Sequence, residues 1–279
     1  MNRIDQRFAD LKAAARVALV PYVTAGHPQP DATVAILHAA VAAGADLVEL
    51  GMPFSDVMAD GPVIQNAHER ALAQGTGLEQ VLDMVRDFRR EDSDTPIILM
   101  GYANPIERRG AGRFAREAAE AGVDGLLIVD CPADEADELQ GLLKAQGIHQ
   151  IFLVAPTTTE HRLNHAARLA GGFVYYVSIK GVTGAASLDV ESLAPMIKRV
   201  RARINLPVAV GFGIREPAQA AAVSATADAV VIGSALVDRL DGCSSVEEAV
   251  ATVRDFLAPV REAMDNSAPV SIEDTARVT

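Results

Sequence analysis

The sequence predicts an α/β fold: a single closed (β/α)8 barrel of the TIM type with an additional N-terminal helix. Three observations carry this. Short apolar runs rich in β-branched residues recur eight times along the 279 residues, and alanine-rich helical stretches separate most of them. The runs are nearly continuous in apolar residues, the pattern of parallel strands covered on both faces. No glycine fingerprint follows the first run, which weighs against the alternative of an open doubly wound sheet.

Taken in order, Ile4, Phe8 and Leu11 fall at helical spacing and place a short amphipathic helix ahead of the first strand. Strands are read at 17–23, 46–50, 96–100, 125–129, 150–154, 173–177, 207–211 and 229–232. Helices are read between them, among others at 31–43, 133–146, 159–170 and 189–203. Gly44, Gly122 and Gly147 each follow a helical run, where a left-handed residue closes the last turn. Residues 86–95 are charged and run into Ser93-Asp94-Thr95-Pro96, read as a solvated helix end and turn. One catalytic domain is expected over 1–265; residues 266–279 are polar, lack periodicity and read as a mobile tail.

Composition narrows the class. Apolar residues make up 49% of the chain, enough for a large core, yet no uninterrupted apolar run is long enough to cross a bilayer. The first sixteen residues carry acids and lack an apolar signal core, so a cytoplasmic protein is expected. Cys131 and Cys243 form no metal-type or redox-type pair, which fits a reducing compartment. The net charge of −12 opposes nonspecific attraction to nucleic acid or anionic membrane. It leaves room for a phosphate ligand held by backbone N–H groups.

In such a barrel the chemistry lies at the C-terminal ends of the strands. There, Glu49 closes an apolar strand, and Asp60 follows eleven residues later in a loop punctuated by Gly51, Pro53, Gly61 and Pro62. A carboxylate at the buried end of a strand is costly unless paired or used. Two acids, one on a strand and one on a mobile loop, point to general acid–base chemistry under a closing flap. Taken singly, Glu49 could pair with an arginine at the barrel rim and Asp60 reads first as a turn residue; taken together, the two favour catalysis. Gly184, Gly211, Gly213 and Gly233, with Ser234 and Ala235 opening a short helix, form a candidate phosphate cradle after the last strands. Lys180 is the one lysine of four on the C-terminal side of a strand, where a Schiff-base nucleophile would stand; a solvated loop cation is the plainer reading. His161 and His165 share a helix face with no third ligand evident, and read as solvated rather than zinc-binding. Cys131 reads as packing.

The strings Tyr-Val-Thr-Ala-Gly (22–26), Glu-Leu-Gly-Met-Pro-Phe-Ser-Asp (49–56), Ala-Asp-Gly-Pro (59–62), Gly-Val-Thr-Gly (181–184), Gly-Phe-Gly-Ile (211–214) and Gly-Ser-Ala (233–235) resemble the tryptophan synthase alpha chain family, in order, from about residue 4 to residue 263. The resemblance implies a lyase that splits indole-3-glycerol phosphate into indole and glyceraldehyde 3-phosphate. It places the catalytic acids on Glu49 and Asp60, with Tyr175 orienting Glu49 or the substrate hydroxyl. It implies an apolar indole slot of Tyr22, Ile64, Met100, Leu127, Leu153 and Phe212, and a loop with Thr183 that closes over Asp60. Phosphate would rest on Gly184, Gly213, Gly233 and Ser234.

The resemblance also implies a beta chain that carries pyridoxal phosphate, met through Pro53, Asp56 and Asn104 in an α2β2 heterotetramer. The chain itself would need no cofactor and no metal. Three residues depart from the usual family pattern: Tyr22 for phenylalanine, His27 for aspartate and Val57 for proline. Other classes remain: a Schiff-base aldolase or sugar-phosphate isomerase on a phosphate-binding barrel, or a noncatalytic regulatory subunit. A pure regulator needs neither Glu49 nor Asp60.

Overall fold

The computed structural model describes residues 1–177, 193–211 and 213–267. Eight parallel strands close in sequence order into a barrel: β1 (Ala18–Thr24), β2 (Val48–Gly51), β3 (Ile97–Gly101), β4 (Gly125–Ile128), β5 (His149–Val154), β6 (Val174–Val177), β7 (Val208–Gly211) and β8 (Ala229–Ile232). Every predicted strand is present, with its ends displaced by two residues at most. Around them run α1 (Arg3–Ala13), α2 (Ala32–Ala42), α3 (Pro62–Ala73), α4 (Leu78–Arg89), α5 (Ala103–Arg109), α6 (Ala111–Ala121), α7 (Asp137–Ala145), α8 (Glu160–Leu169), α9 (Leu193–Arg201), α10 (Pro217–Ser224), α11 (Ser234–Leu240) and α12 (Val246–Asp265).

Two expectations change. The single helix read at 133–146 opens instead as a 3-10 turn, Ala133–Glu135, before α7, because the Glu135 and Ala136 N–H groups bond three residues back, to the Pro132 and Ala133 carbonyls, and the α-helical ladder begins anew with the Gln140 N–H on the Ala136 carbonyl. Residues 86–95 are not simply solvated. Arg89 turns inward to the Asp124 carboxylate at 2.7 Å, and Thr95 is buried with its N–H and hydroxyl on Asp92. The helix read at 189–203 is described from Leu193 onward, and the tail from 268 to 279 lies outside the described residues.

Side chains on alternate strand positions divide into two apolar layers. Leu19, Val48, Leu99, Leu126 and Val210 pack outward under the helices. Val20, Leu47, Ile98, Leu127, Ile151 and Phe173 fill the barrel interior, and α1 seals its N-terminal end with Ile4, Phe8 and Leu11. The seal is tight enough to dictate Gly125: a Cβ there would stand 2.9 Å from Ile4 Cδ1 and 2.7 Å from Ile151 Cδ1. With one end plugged by α1, the opposite, C-terminal mouth is left to hold a ligand.

One device recurs at the plugged end. Asp46, Asp124 and Asp228 each precede an even-numbered strand, and each accepts the N–H of a residue on the strand before: Leu19, Ile97 and Val208, at 2.9, 2.9 and 2.8 Å. Each aspartate's own N–H returns to the carbonyl of that same residue. Arg261, Arg89 and Arg201 then pair with the three carboxylates. Asp124 is buried and also holds Arg3 at 2.8 Å, so it ties α1 and α4 to β3. Replacing one member of a buried, hydrogen-bonded pair strands the other's charge. Asp124→Ala is therefore expected to lower unfolding free energy by roughly 3–5 kcal/mol, read from urea midpoints; a loss within about 0.5 kcal/mol would remove this account of the seal.

Candidate active site

Glu49 lies near the end of β2, paired in register with Tyr22 on β1 and Ile98 on β3. Both neighbours face the interior, so the carboxyl points into the barrel below its mouth. It is fully buried, and neither oxygen has a hydrogen-bond partner among the described residues. Burial in so apolar a place penalises the charged form and pushes the Glu49 carboxyl up to about 8. At neutral pH it is a held proton, which is what a general acid needs.

Asp60 comes from the loop between β2 and α3. The Tyr102 hydroxyl donates to its Oδ2 at 2.7 Å and accepts the Ala59 N–H at 3.2 Å. The Gln65 side-chain amide donates to the Asp60 carbonyl at 2.8 Å. Burial raises Asp60 above the ordinary carboxylate range, and the Tyr102 hydrogen bond works against that rise by favouring the charged form. The two acids thus have different tasks available: Glu49 keeps a proton, and Asp60 has a donor that steadies its negative charge.

Tyr175, on β6, reaches over β7 so closely that its hydroxyl fills the space a Cβ on Gly211 would need. Burial, then the charges of Glu49 and Asp60, hold the phenol neutral. The phenol is thus within electrostatic reach of both acids and keeps its proton. Tyr22 leans in the same way over Gly51.

The hydroxyl of Tyr22 is fully used. His68 Nδ1 accepts the Phe54 N–H at 3.2 Å, so its proton sits on Nε2 and is donated to the Tyr22 hydroxyl at 3.0 Å. The Tyr22 and Thr24 hydroxyls share a further hydrogen bond at 3.2 Å. Burial lowers His68 to about 4, which keeps this relay neutral at physiological pH. The chain Tyr22–His68–Phe54 fastens β1 to the first residues of the acid-bearing loop, and the Phe54 ring packs on Tyr102 at 5.5 Å. Tyr22→Phe would leave the His68 Nε2–H buried and unpaired, at a cost of about 1–2 kcal/mol. A double-mutant cycle with His68→Asn checks this; a coupling energy near zero would show that the relay is not a unit.

Tyr22, Ile64 and Met100 form one apolar cluster, and Met100 also packs with Leu127, Leu153 and Tyr175 at the top of the interior layer. The structure therefore brings together the described members of the expected slot; Thr183, Gly184, Phe212 and Lys180 lie outside the described residues. Gly213 is left-handed (φ +73°), and Gly233 leads into Ser234, the first residue of α11, whose opening N–H groups have no partner within the helix. Of the expected partner residues, Asp56 and Asn104 are exposed and Pro53 is buried. Between them Met58 is 83% exposed.

His27 is buried, and its Nε2 has the Asp241 carboxylate at 3.8 Å. Val57 is buried, its carbonyl accepting from the Gln65 amide at 3.4 Å. Cys131 packs on the outer apolar layer as expected. The histidine pair at 161 and 165 differs from its sequence reading: Asp134, from the 3-10 turn, supplies the third group that was not evident. Sequence reasoning gave no role to Tyr102 or His68. Tyr102 had a signal, since it follows the end of β3 where barrel chemistry gathers; His68, on a helix, had none.

Comparisons with known proteins agree. The family described as Tryptophan synthase alpha chain matches residues 8–267. The chain is similar to the tryptophan synthase alpha chain of Laribacter hongkongensis, 56% identical over 95% of this chain and 100% of that one. It is likewise similar to that of Cupriavidus taiwanensis, 53% identical over the same shares. Among solved structures, the tryptophan synthase subunit alpha of Legionella pneumophila superposes with a TM-score of 0.89 at 43% identity, covering 95% of this chain and 99% of that one. A tryptophan synthase chain from M. tuberculosis, in an aminoacrylate-bound form, gives 0.83 at 33% identity over 95% and 100%.

Proposed function

Because the chain belongs to the tryptophan synthase alpha chain family, it is the lyase subunit that cleaves indole-3-glycerol phosphate in tryptophan biosynthesis, and we propose that Glu49 and Asp60 perform the cleavage. The carrying observation is the buried, unpartnered Glu49 carboxyl, held near a value of about 8, opposite an Asp60 steadied by Tyr102.

The bond to be broken joins indole C3 to a glycerol carbon bearing a hydroxyl. Glu49 delivers its proton to C3, and the ring nitrogen takes up the positive charge. Asp60 accepts a hydrogen bond from that N–H and stabilises the charge where it develops. The carbon–carbon bond then breaks, its electron pair returning to the ring. The hydroxyl becomes the aldehyde of glyceraldehyde 3-phosphate, and its proton passes to the Glu49 carboxylate, restoring the acid. Tyr175 orients the hydroxyl or Glu49. Tyr22, Ile64, Met100, Leu127, Leu153 and Phe212 hold the indole ring. Thr183 belongs to the covering loop, and Gly184, Gly213, Gly233 and Ser234 hold the phosphate.

On this reading the chain supplies its own acid and base, and pyridoxal phosphate belongs to the beta chain. The exposed Asp56, Met58 and Asn104 favour a docking rim around the acid-bearing loop, with Pro53 beneath it, in an α2β2 assembly. The unpaired thiols of Cys131 and Cys243 fit a cytoplasmic setting, and among the described residues no helix is long and apolar enough to cross a membrane.

The test of the partner face is indole release by the purified chain with and without a beta chain. Slow release that the partner accelerates is expected, and Met58→Asp is expected to raise the partner concentration needed by about tenfold or more. Equal stimulation of Met58→Asp and the parent chain would move the docking rim elsewhere.

A further inference from the structure

We infer that Asp134, His161 and His165 form a binding site for one divalent transition-metal ion, of the zinc or nickel class, on the outer rim of the barrel. Among the described residues this is the one group of three metal-ligating side chains whose ligand atoms all lie within 4.8 Å of one another. His161 and His165 stand one turn apart on α8, the spacing that aims two imidazoles at one point. Asp134 approaches from the turn after β4. Its Oδ1 lies 3.2 Å from His165 Nδ1 and 3.7 Å from His161 Nδ1. An ion bound at about 2.0–2.1 Å in tetrahedral geometry requires ligand-to-ligand edges of roughly 3.3 Å. The two edges to Asp134 need to change only by tenths of an ångström to meet that, and the edge between the two histidines lies within 4.8 Å.

A second observation points the same way. His165 Nδ1 is buried and lacks a hydrogen-bond partner among the described residues, although the Asp134 oxygen is near. A cation seated between that nitrogen and Oδ1 would give both a partner. The donor set, two imidazoles and one carboxylate with open positions for water, suits zinc or nickel rather than calcium or magnesium, which favour oxygen.

Two charges act against the ion. Arg162 Nε donates to Asp134 Oδ2 at 3.1 Å, leaving Oδ1 free but reducing the carboxylate's pull. His161 also lies in the first turn of α8, where the helix dipole weakens a nearby cation roughly two- to fivefold. The site is therefore one of moderate affinity that links the loop after β4 to the helix after β5. None of its three ligands belongs to the acid–base site, so the inference does not rest on the proposed reaction.

The test is calorimetric titration of the untagged, chelator-stripped full chain with zinc chloride and, separately, nickel chloride. One saturable site is expected, weakened at least about tenfold in both His161→Asn and His165→Asn and strengthened in Arg162→Gln. Added zinc should raise the thermal midpoint of the parent chain and leave that of His165→Asn unmoved. Absence of saturable binding up to about 1 mM, or equal affinity in the parent and both histidine variants, overturns the site; so does an Arg162→Gln variant that binds more weakly while folding normally.

Discussion

Glu49→Gln is expected to lose turnover by roughly 10³-fold while its affinity for substrate stays within a few-fold. The amide keeps the shape of the carboxyl but has no proton to give to C3. A second effect follows from the same burial. The Glu49 carboxyl has an ordinary value of 4.5 and is held near about 8 in the folded chain. Between those values the native state binds more protons than the unfolded chain, so stability falls as pH rises through that window. It is fully retained below the lower value, where both states are protonated. Glutamine removes this dependence. Relative to the parent, Glu49→Gln should therefore gain roughly 2–4 kcal/mol of unfolding free energy between about pH 5 and pH 8. An inactive variant with an unchanged stability-versus-pH curve would mean that Glu49 is already ionised in the native chain.

Asp60→Asn is the second large loss. An amide presents a partial dipole where the ring nitrogen develops positive charge, and withdrawing one aimed electrostatic partner costs about 10²–10³-fold in rate. The Tyr102 hydroxyl can still donate to the amide oxygen, so the loop keeps its post and the thermal midpoint should hardly move. That combination separates a charge effect from a displaced loop. Comparable turnover by Asp60→Asn and the parent chain would end Asp60's role at the ring nitrogen. Tyr102→Phe should be milder in rate and should loosen the loop, because it removes the partner of both Ala59 N–H and Asp60.

The barrel was legible because a strand buried on both faces leaves a continuous apolar run and a helix beside it leaves alanine. Glu49 was legible for the same reason, since an acid among such residues contradicts its surroundings. Its lack of a partner among the described residues, which favours an acid over one half of a rim ion pair, is a three-dimensional fact. Tyr102 and His68 find their partners 42 and 46 residues away, across loops whose path the sequence does not specify. Residues 133–146 read as one helix because Ala133 and Glu135 favour helix, whereas the tighter three-residue bonding of Glu135 and Ala136 leaves no mark in residue type. Asp46, Asp124 and Asp228 did carry a signal. Each stands immediately before or at the start of an apolar run, and only their common hydrogen bonds to the preceding strand show them to be one repeated device. Asp134 lies a full strand away from the histidine pair in sequence, and the closed barrel alone makes them neighbours.

The most direct test of Glu49 as the proton donor is the rate of indole release from indole-3-glycerol phosphate by the isolated chain, followed from about pH 6 to about pH 10. With Glu49 held near about 8, the rate should fall above that point, approaching tenfold per pH unit. A rate that stays level to the alkaline end would contradict the assignment of Glu49 as the acid.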